Sequence, residues 1–351
     1  QQAMSEVFGP ANGFVFAFSA LPTIIFISSF FTILYYFGIL QFIVWVMARA
    51  MMYAMRTSGA ETLSAAANVF MGQTEAPIIV KPYVPEMTRS ELLSLMVGGM
   101  ATIAGGVMAA YIGLLGGGDP AQQVFYAKHL ISASIMAAPA ALVTAKLLIP
   151  ETERSLTLGT VRVHDERVAH NIIEAAAIGA SDGVRLALNV GGMLLAFLAL
   201  IALINFPLEW LGEATGIAER LSEAAGKPVK TDLALLLGYL FSPIAWVTGV
   251  PWSDAHTVGS LVGQKIVANE FVAYVQLAEL APELTEKGRL IATYALCGFA
   301  NFSSIAIQIG GIGGLAPERR TDLARLGMRA VLGGTLATLM TATLAGVITA
   351  F

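Results

Sequence analysis

The chain has 351 residues, 56% of them hydrophobic and 13% charged, with a formal net charge of −4. A soluble domain carries about 25% charged residues, so too little charge is present here to cover a water-facing surface. The small negative charge argues against nucleic acid as a partner. The single cysteine, Cys297, excludes a disulfide within the chain and a cysteine-based metal cluster. The four histidines (His129, His164, His170 and His256) form no ligand pair at helical spacing.

About 20 apolar residues cross a bilayer, and six segments meet that length: 21–47, 95–115, 129–149, 188–206, 290–315 and 327–350. The chain begins Gln1-Gln2, without a signal-peptide pattern, and further crossings are expected upstream. An apolar stretch within 1–20 precedes Pro22 and reads as an interfacial helix. The stretch 233–250 is apolar but broken by Pro243, and reads as an external helix along the interface.

Lysine and arginine near the segment ends set orientation. Arg49, Arg56, Lys81 and Arg89 fall on one side with Arg154, Arg162, Arg167 and Arg185, and with Arg319, Arg320, Arg325 and Arg329. That side is expected to be cytoplasmic, which puts both ends of the chain outside. The other loops are richer in glutamate, as at Glu209, Glu213, Glu279 and Glu283.

Two regions, 61–85 and 254–278, have short apolar pieces around a polar centre. Neither piece can span. A re-entrant helical hairpin has this pattern, and its non-helical tip is tolerated only where it lines a protein cavity. The order crossing, hairpin, crossing, crossing then occurs twice with opposite topology. Matched interruptions in inverted halves point to a binding site at the membrane midplane. The expected fold is therefore an all-α polytopic membrane protein of two inverted repeats with two re-entrant hairpins.

The hairpins carry Glu75 and Glu270. A carboxylate at membrane depth costs about 2.5–3.5 kcal/mol, so it usually faces a cavity and has a role. Gln73 and Thr74 add side-chain donors and acceptors. Lys81 and Lys265, five or six residues away, read as salt-bridge partners or as side chains snorkelling at the hairpin bases. Asn301, Ser303 and Ser304 interrupt the crossing 290–315, and Thr102 interrupts 95–115. The glycine run 310–314 lacks the Lys-Ser/Thr of a phosphate loop. No catalytic triad, zinc-binding helix or pair of catalytic acids is present, so an enzyme is not expected. The residues alone describe a secondary transporter with a carboxylate-containing site. A channel would not need the hairpins, and an anionic cargo would want positive charge at their tips.

Three strings name a cargo. Ala67-Asn68-Val69-Phe70-Met71-Gly72-Gln73-Thr74-Glu75-Ala76-Pro77, Val267-Ala268-Asn269-Glu270-Phe271 and Cys297-Gly298-Phe299-Ala300-Asn301-Phe302-Ser303-Ser304 resemble the concentrative nucleoside transporter family. The resemblance runs along essentially the whole chain. It implies a sodium-coupled nucleoside symporter in the plasma membrane, working as a homotrimer by an elevator motion. A scaffold domain would hold 21–47 and 188–206. A transport domain would comprise 48–150 and 251–351, with 151–250 as connector and scaffold. The nucleobase would meet Gln73, Thr74, Glu75 and Val107, and the ribose Glu270, Asn301 and Ser304, with Phe299 and Leu186 alongside. Sodium would sit at Asn68, Met71, Thr102 and Ile103, through backbone carbonyls at Met71 and Ile103. Some members of the family couple to protons, which leaves a proton-coupled symporter, or a carrier of another neutral polar solute, as the alternative.

Overall fold

The computed structural model describes residues 16–159, 169–225 and 228–348. Most of the interfacial stretch expected within 1–20 lies outside these residues, as do 349–351 at the end of the last expected crossing. The described residues form helices, 3-10 turns and one isolated bridge between Ser58 and Leu158.

The first expected crossing is divided. Helix α1 (Phe16–Tyr36) ends before Gly38, and α2 (Ile39–Met55) leaves it at 77°. Gly38 has φ 75, a left-handed conformation that costs a glycine nothing. It is a corner inside what composition alone reads as one continuous run.

The first hairpin rises through α3 (Gly59–Ala67) and returns through α4 (Ala76–Ile79) and a 3-10 turn (Lys81–Glu86). Pro77, Pro82 and Pro85 withhold backbone donors from the returning arm, which keeps it short and irregular. Next come α5 (Arg89–Ala101) and α6 (Gly105–Gly116), two halves of one span unwound at Thr102–Ala104. Thr88 caps α5: its hydroxyl accepts from Glu91 N–H at 3.1 Å, while Glu91 accepts from Thr88 N–H at 3.0 Å. The long helix α7 (Pro120–Leu148) closes the first half.

Helix α8 (Ile172–Ala214) runs for 43 residues, well beyond the expected crossing at 188–206. After α9 (Ile217–Ala225), α10 (Leu233–Val247) folds back at 117° into α11 (Trp252–Val267). Helices α11 and α12 (Glu270–Leu280) form the second hairpin. The crossing expected at 290–315 is two short helices, α13 (Glu286–Leu296) and α14 (Phe302–Leu315), separated by an unwound stretch. Neither half is long enough to span alone. Helix α15 (Arg320–Ile348) ends the described chain. By length and composition, four described helices can cross a membrane, or six if each bent pair counts as one span.

The two halves repeat in their bonding. In the first, the buried carboxylate of Glu91 joins the start of α5 to the start of α3 through the Ser58 hydroxyl, and also holds Ser155 of the following loop. In the second, buried Asp254 at the start of α11 accepts from the Thr285 N–H at 3.0 Å and its hydroxyl at 2.6 Å, at the cap of α13. Each carboxylate pins two helix N-termini side by side, where their partial positive charges favour it. Arg319 clamps the halves together, its Nη1 donating to the carbonyls of Pro85 (2.9 Å) and Met87 (2.7 Å). Helices α1 and α8 pack along each other at the side of this body, with Ser29 Oγ donating to Ala176 O at 2.9 Å.

Candidate functional site

Both hairpin tips reach across to the other half's broken helix. The first tip presents Gln73, whose Nε2 donates to Ser304 Oγ at 3.2 Å and whose Oε1 accepts from Gln308 Nε2 at 3.1 Å. Both partners stand on α14. Two glycines admit the tip. A Cβ at Gly99 would lie 2.9 Å from Gln73 Cβ, and one at Gly311 would lie 3.1 Å from Thr74 Cβ.

The second tip presents Glu270 at the first position of α12. Asn269 caps this helix, accepting from Val272 N–H at 2.9 Å. Glu270 Oε1 accepts from the Tyr111 hydroxyl at 3.0 Å, and Oε2 accepts from Asn301 Nδ2 at 3.1 Å. Tyr111 belongs to α6, so this tip too is held by the opposite half. Its ring stacks on Tyr274 with centroids 4.3 Å apart and lies 5.5 Å from Phe271. Glu270 is only 6% exposed. A buried carboxylate needs this support, from two charge-assisted bonds and a helix N-terminus.

Asn301 has two tasks. While its amide holds Glu270, its Oδ1 caps α14, accepting from Ser304 N–H at 2.9 Å and Ser303 Oγ at 2.7 Å. A continuous polar chain therefore runs from Tyr111 through Glu270, Asn301 and Ser304 to Gln73.

The residues grouped by family resemblance are distributed over two adjoining environments. Gln73, Glu270, Asn301 and Ser304 are buried and bonded to one another. Thr74 and Phe299 are half-buried beside them, and Val107 is buried in the apolar core around Tyr111. Glu75 is exposed, accepts from Gly72 N–H at 3.0 Å, and turns toward a cavity of about 290 Å³. Leu186, Met71, Phe31, Ser28 and Asp182 line that cavity with it, between the first hairpin, the unwound start of α6, and α1 and α8.

The neutral oxygens near the first break form a third group. Asn68 closes α3, and its Nδ2 donates to Ser64 O at 3.0 Å. Its Oδ1 is buried with no hydrogen-bond partner, as is Ser64 Oγ. Such atoms need an explanation, and a cation supplies one. The Thr102 hydroxyl donates to Gly98 O at 2.9 Å, which leaves its lone pairs available. Gly105 N–H to Phe70 O, 3.0 Å, ties the tip to the break. Met71 is half-buried and Ile103 fully buried in the same segments. The described residues contain no cluster of three histidine, cysteine or acidic side chains suited to a metal. The donor set is hard, neutral oxygen, which fits a monovalent alkali cation rather than a transition metal.

Three participants were missed or misread from sequence. Tyr111 and Gln308 lie in apolar helix stretches, where spacing marks them only as core. Lys265 is neither a salt-bridge partner nor a snorkelling group. It is fully buried, donating to Ala295 O at 2.9 Å and Thr338 Oγ1 at 3.0 Å. Lys81 is exposed.

A family profile described as "Na+ dependent nucleoside transporter C-terminus" matches residues 129–346, and one described as "nucleoside recognition" matches 17–118. The chain belongs to the concentrative nucleoside transporter family. Among similar proteins of this family is the nucleoside permease NupC of Helicobacter pylori, 43% identical across 95% of this chain and 76% of that one. Sodium/nucleoside cotransporter 1 of Mus musculus is 39% identical across 95% of this chain and 51% of its own length. The transporter fold agrees as well. The structure of CNTnw in an inward-facing substrate-bound state aligns with TM-score 0.85 at 46% identity, covering 100% of this chain and 79% of that one. A variant of CNTnw in an outward-facing state aligns at 0.84 and 45%. The chain is therefore a membrane transporter of inverted-repeat, two-hairpin architecture, with scaffold and transport domains.

Proposed function

We propose that the chain imports nucleosides across the plasma membrane, driven by a sodium gradient. The supporting observation is the polar chain Gln73–Ser304–Asn301–Glu270–Tyr111, built where both hairpin tips meet both helix breaks. An ionised carboxylate accepts ribose hydroxyls strongly, which supports the family-based reading that Glu270, with Asn301 and Ser304, holds the sugar. A nucleobase edge offers donors and acceptors together, and Gln73, Thr74 and Glu75 complement both. Val107, Phe299 and Leu186 supply apolar surface for a planar ring. The cavity beside Glu75 and Leu186 adjoins the nucleobase side of this site.

Sodium is read as the co-transported ion, held by Asn68 and Thr102 side chains and the carbonyls of Met71 and Ile103. With the ion in place the first hairpin tip is fixed against the break, which completes the nucleobase side of the site. Helices α1 and α8 are the scaffold in this reading. Along 191–206 every described side chain of α8 is exposed or half-buried within one chain, so this surface is left to lipid or to further copies, in keeping with a homotrimer. The Arg319 clamp and the crossed contacts at both tips let the two hairpins travel as one body in an elevator motion. Differential affinity for the outward and inward states then sets the direction of transport.

Uptake of labelled uridine into proteoliposomes, with and without an inward sodium gradient at fixed pH, tests this. Sodium-dependent uptake competed by adenosine supports cargo and coupling together. Uptake following a proton gradient alone keeps the cargo and removes the ion from Asn68. No uptake under either gradient removes the nucleoside reading.

A further inference from the structure

Two parallel helix pairs point their C-termini into the middle of the molecule. In the first half, α3 and α5 are joined at their starts by Ser58 and Glu91. At their ends they touch: a Cβ at Gly98 would lie 3.4 Å from Asn68 Nδ2 and 3.7 Å from Ala65 Cα. In the second half, α11 and α13 are joined at their starts by Asp254 and Thr285, and at their ends by the bond from Lys265 to Ala295 O. Each pair therefore buries two helix C-termini together. The last carbonyls of a helix lack intrahelical donors, and each end carries about half a negative charge. Such paired ends need a cation.

The halves meet this need differently. Neither α3 nor α5 has a basic residue in its last turn, and Asn68 Oδ1 and Ser64 Oγ beside them are left without partners. Lys265 stands in the last turn of α11. It is 0% exposed, and its ammonium bonds a carbonyl in the last turn of α13 and a hydroxyl on α15. Among the described residues no carboxylate lies within ion-pairing distance of it. A buried charge is costly unless it is compensated; Glu270 attracts this one from beyond ion-pairing distance, and the helix ends add to the opposing potential. The breaks also lie back to back, since a Cβ at Gly298 would come 2.8 Å from Met100 O and 2.9 Å from Ala101 O.

We infer that the Lys265 ammonium is a tethered cation, filling in the second half the place that an exchangeable cation fills in the first. Lys265 acts as a positioning residue. It steadies the end of α13, and with it the unwound stretch that carries Asn301 to Glu270. One consequence is a single coupling ion per cycle, because the second helix-end site is already occupied. This part rests on the reading of Asn68 as an ion ligand.

The test measures uridine binding to the purified full chain in lipid nanodiscs, with sodium varied against choline, for the parent, Lys265→Ala and Lys265→Gln. The parent is expected to show a sodium dependence with Hill coefficient near one. Lys265→Ala opens a space, so affinity falls about tenfold or more, the scale of a buried charge at a helix end. Added methylammonium restores most of it, and with sodium as the only small cation the Hill coefficient rises toward two. Lys265→Gln keeps bulk and a donor for Ala295 O, so it folds. It is expected to bind about as weakly as Lys265→Ala and to gain nothing from methylammonium. Parent-like affinity in Lys265→Gln, or a loss in Lys265→Ala that no cation reverses, overturns the proposal. A parent that binds uridine equally without sodium overturns the Asn68 reading alone, and methylammonium rescue of Lys265→Ala still decides the role of Lys265.

Discussion

The Tyr111 hydroxyl donates to Glu270 at 3.0 Å across 159 residues of sequence. Its counterpart is Gln308, which donates to Gln73 at 3.1 Å across 235. Tyr111 and Gln308 each stand six residues after the first residue of their half-helix, Gly105 and Phe302. Each hairpin tip is thus received at the same position on the opposite half. The inverted repeat is an exchange of contacts as well as a resemblance of topology.

Removing the Glu270 charge is expected to cost more than removing its donor. Glu270→Gln should lower nucleoside affinity by about 10- to 100-fold, since hydrogen bonds to a charged group contribute about 1.5–3 kcal/mol. Tyr111→Phe should lower it by less than tenfold. The double variant should be no weaker than Glu270→Gln, because the two residues share one bond. Binding isotherms on protein that keeps its size-exclusion profile decide this, and additive losses would separate the two residues.

Asn68→Ala should change the ion dependence and spare the nucleoside contacts. Half-maximal uridine uptake should need about tenfold more sodium, equivalent to roughly 1.4 kcal/mol, and excess sodium should restore part of the rate. The same sodium curve in variant and parent would exclude Asn68 as a ligand.

Gly298→Ala should destabilise the protein by about 1–3 kcal/mol, the usual cost of overpacking. The added methyl would meet the backbone carbonyls of Met100 and Ala101, which cannot turn aside as a side chain can. Gly105→Ala would first meet the ring of Phe31, on α1, a side chain that can shift, and should be milder. Melting temperatures of the two variants test the order.

Glu91→Ala should cost about 1–3 kcal/mol for each polar group that it leaves buried and unpaired. Ser58, Thr88 and Ser155 all bond to this carboxylate. The sodium dependence of any surviving protein should match the parent. A shifted sodium curve would instead link the start of α5 to the ion site.

The repeat and both hairpins were legible in the sequence because their polar centres interrupt long apolar runs. Gln73, Glu270 and Asn301 stand out for the same reason, whereas Asn68 was marked only by the family resemblance. Tyr111 and Gln308 were not legible, since what makes them partners is contact at separations of 159 and 235 residues. The corner at Gly38 was hidden too, because hydropathy is blind to φ and the residues on both sides are equally apolar. Lys265 was visible as a charge, but its partners are a backbone carbonyl and a threonine from distant helices, and spacing suggested the nearer glutamate instead.

The separation between Gln73 and Ser304 also bears on how the molecule is made. A ribosome adds roughly 5–20 residues per second, so about 10–50 s pass between synthesis of the first tip and of the helix that receives it, 231 residues later. Throughout that interval a hairpin with a polar tip, too short to anchor itself, waits for a partner that does not yet exist. Arg319, which fastens the base of the same hairpin, arrives later still. The nascent first half therefore has to be sheltered from lipid by the insertion machinery, and substitutions that loosen its own Glu91 fastening should show first as lost yield in the cell.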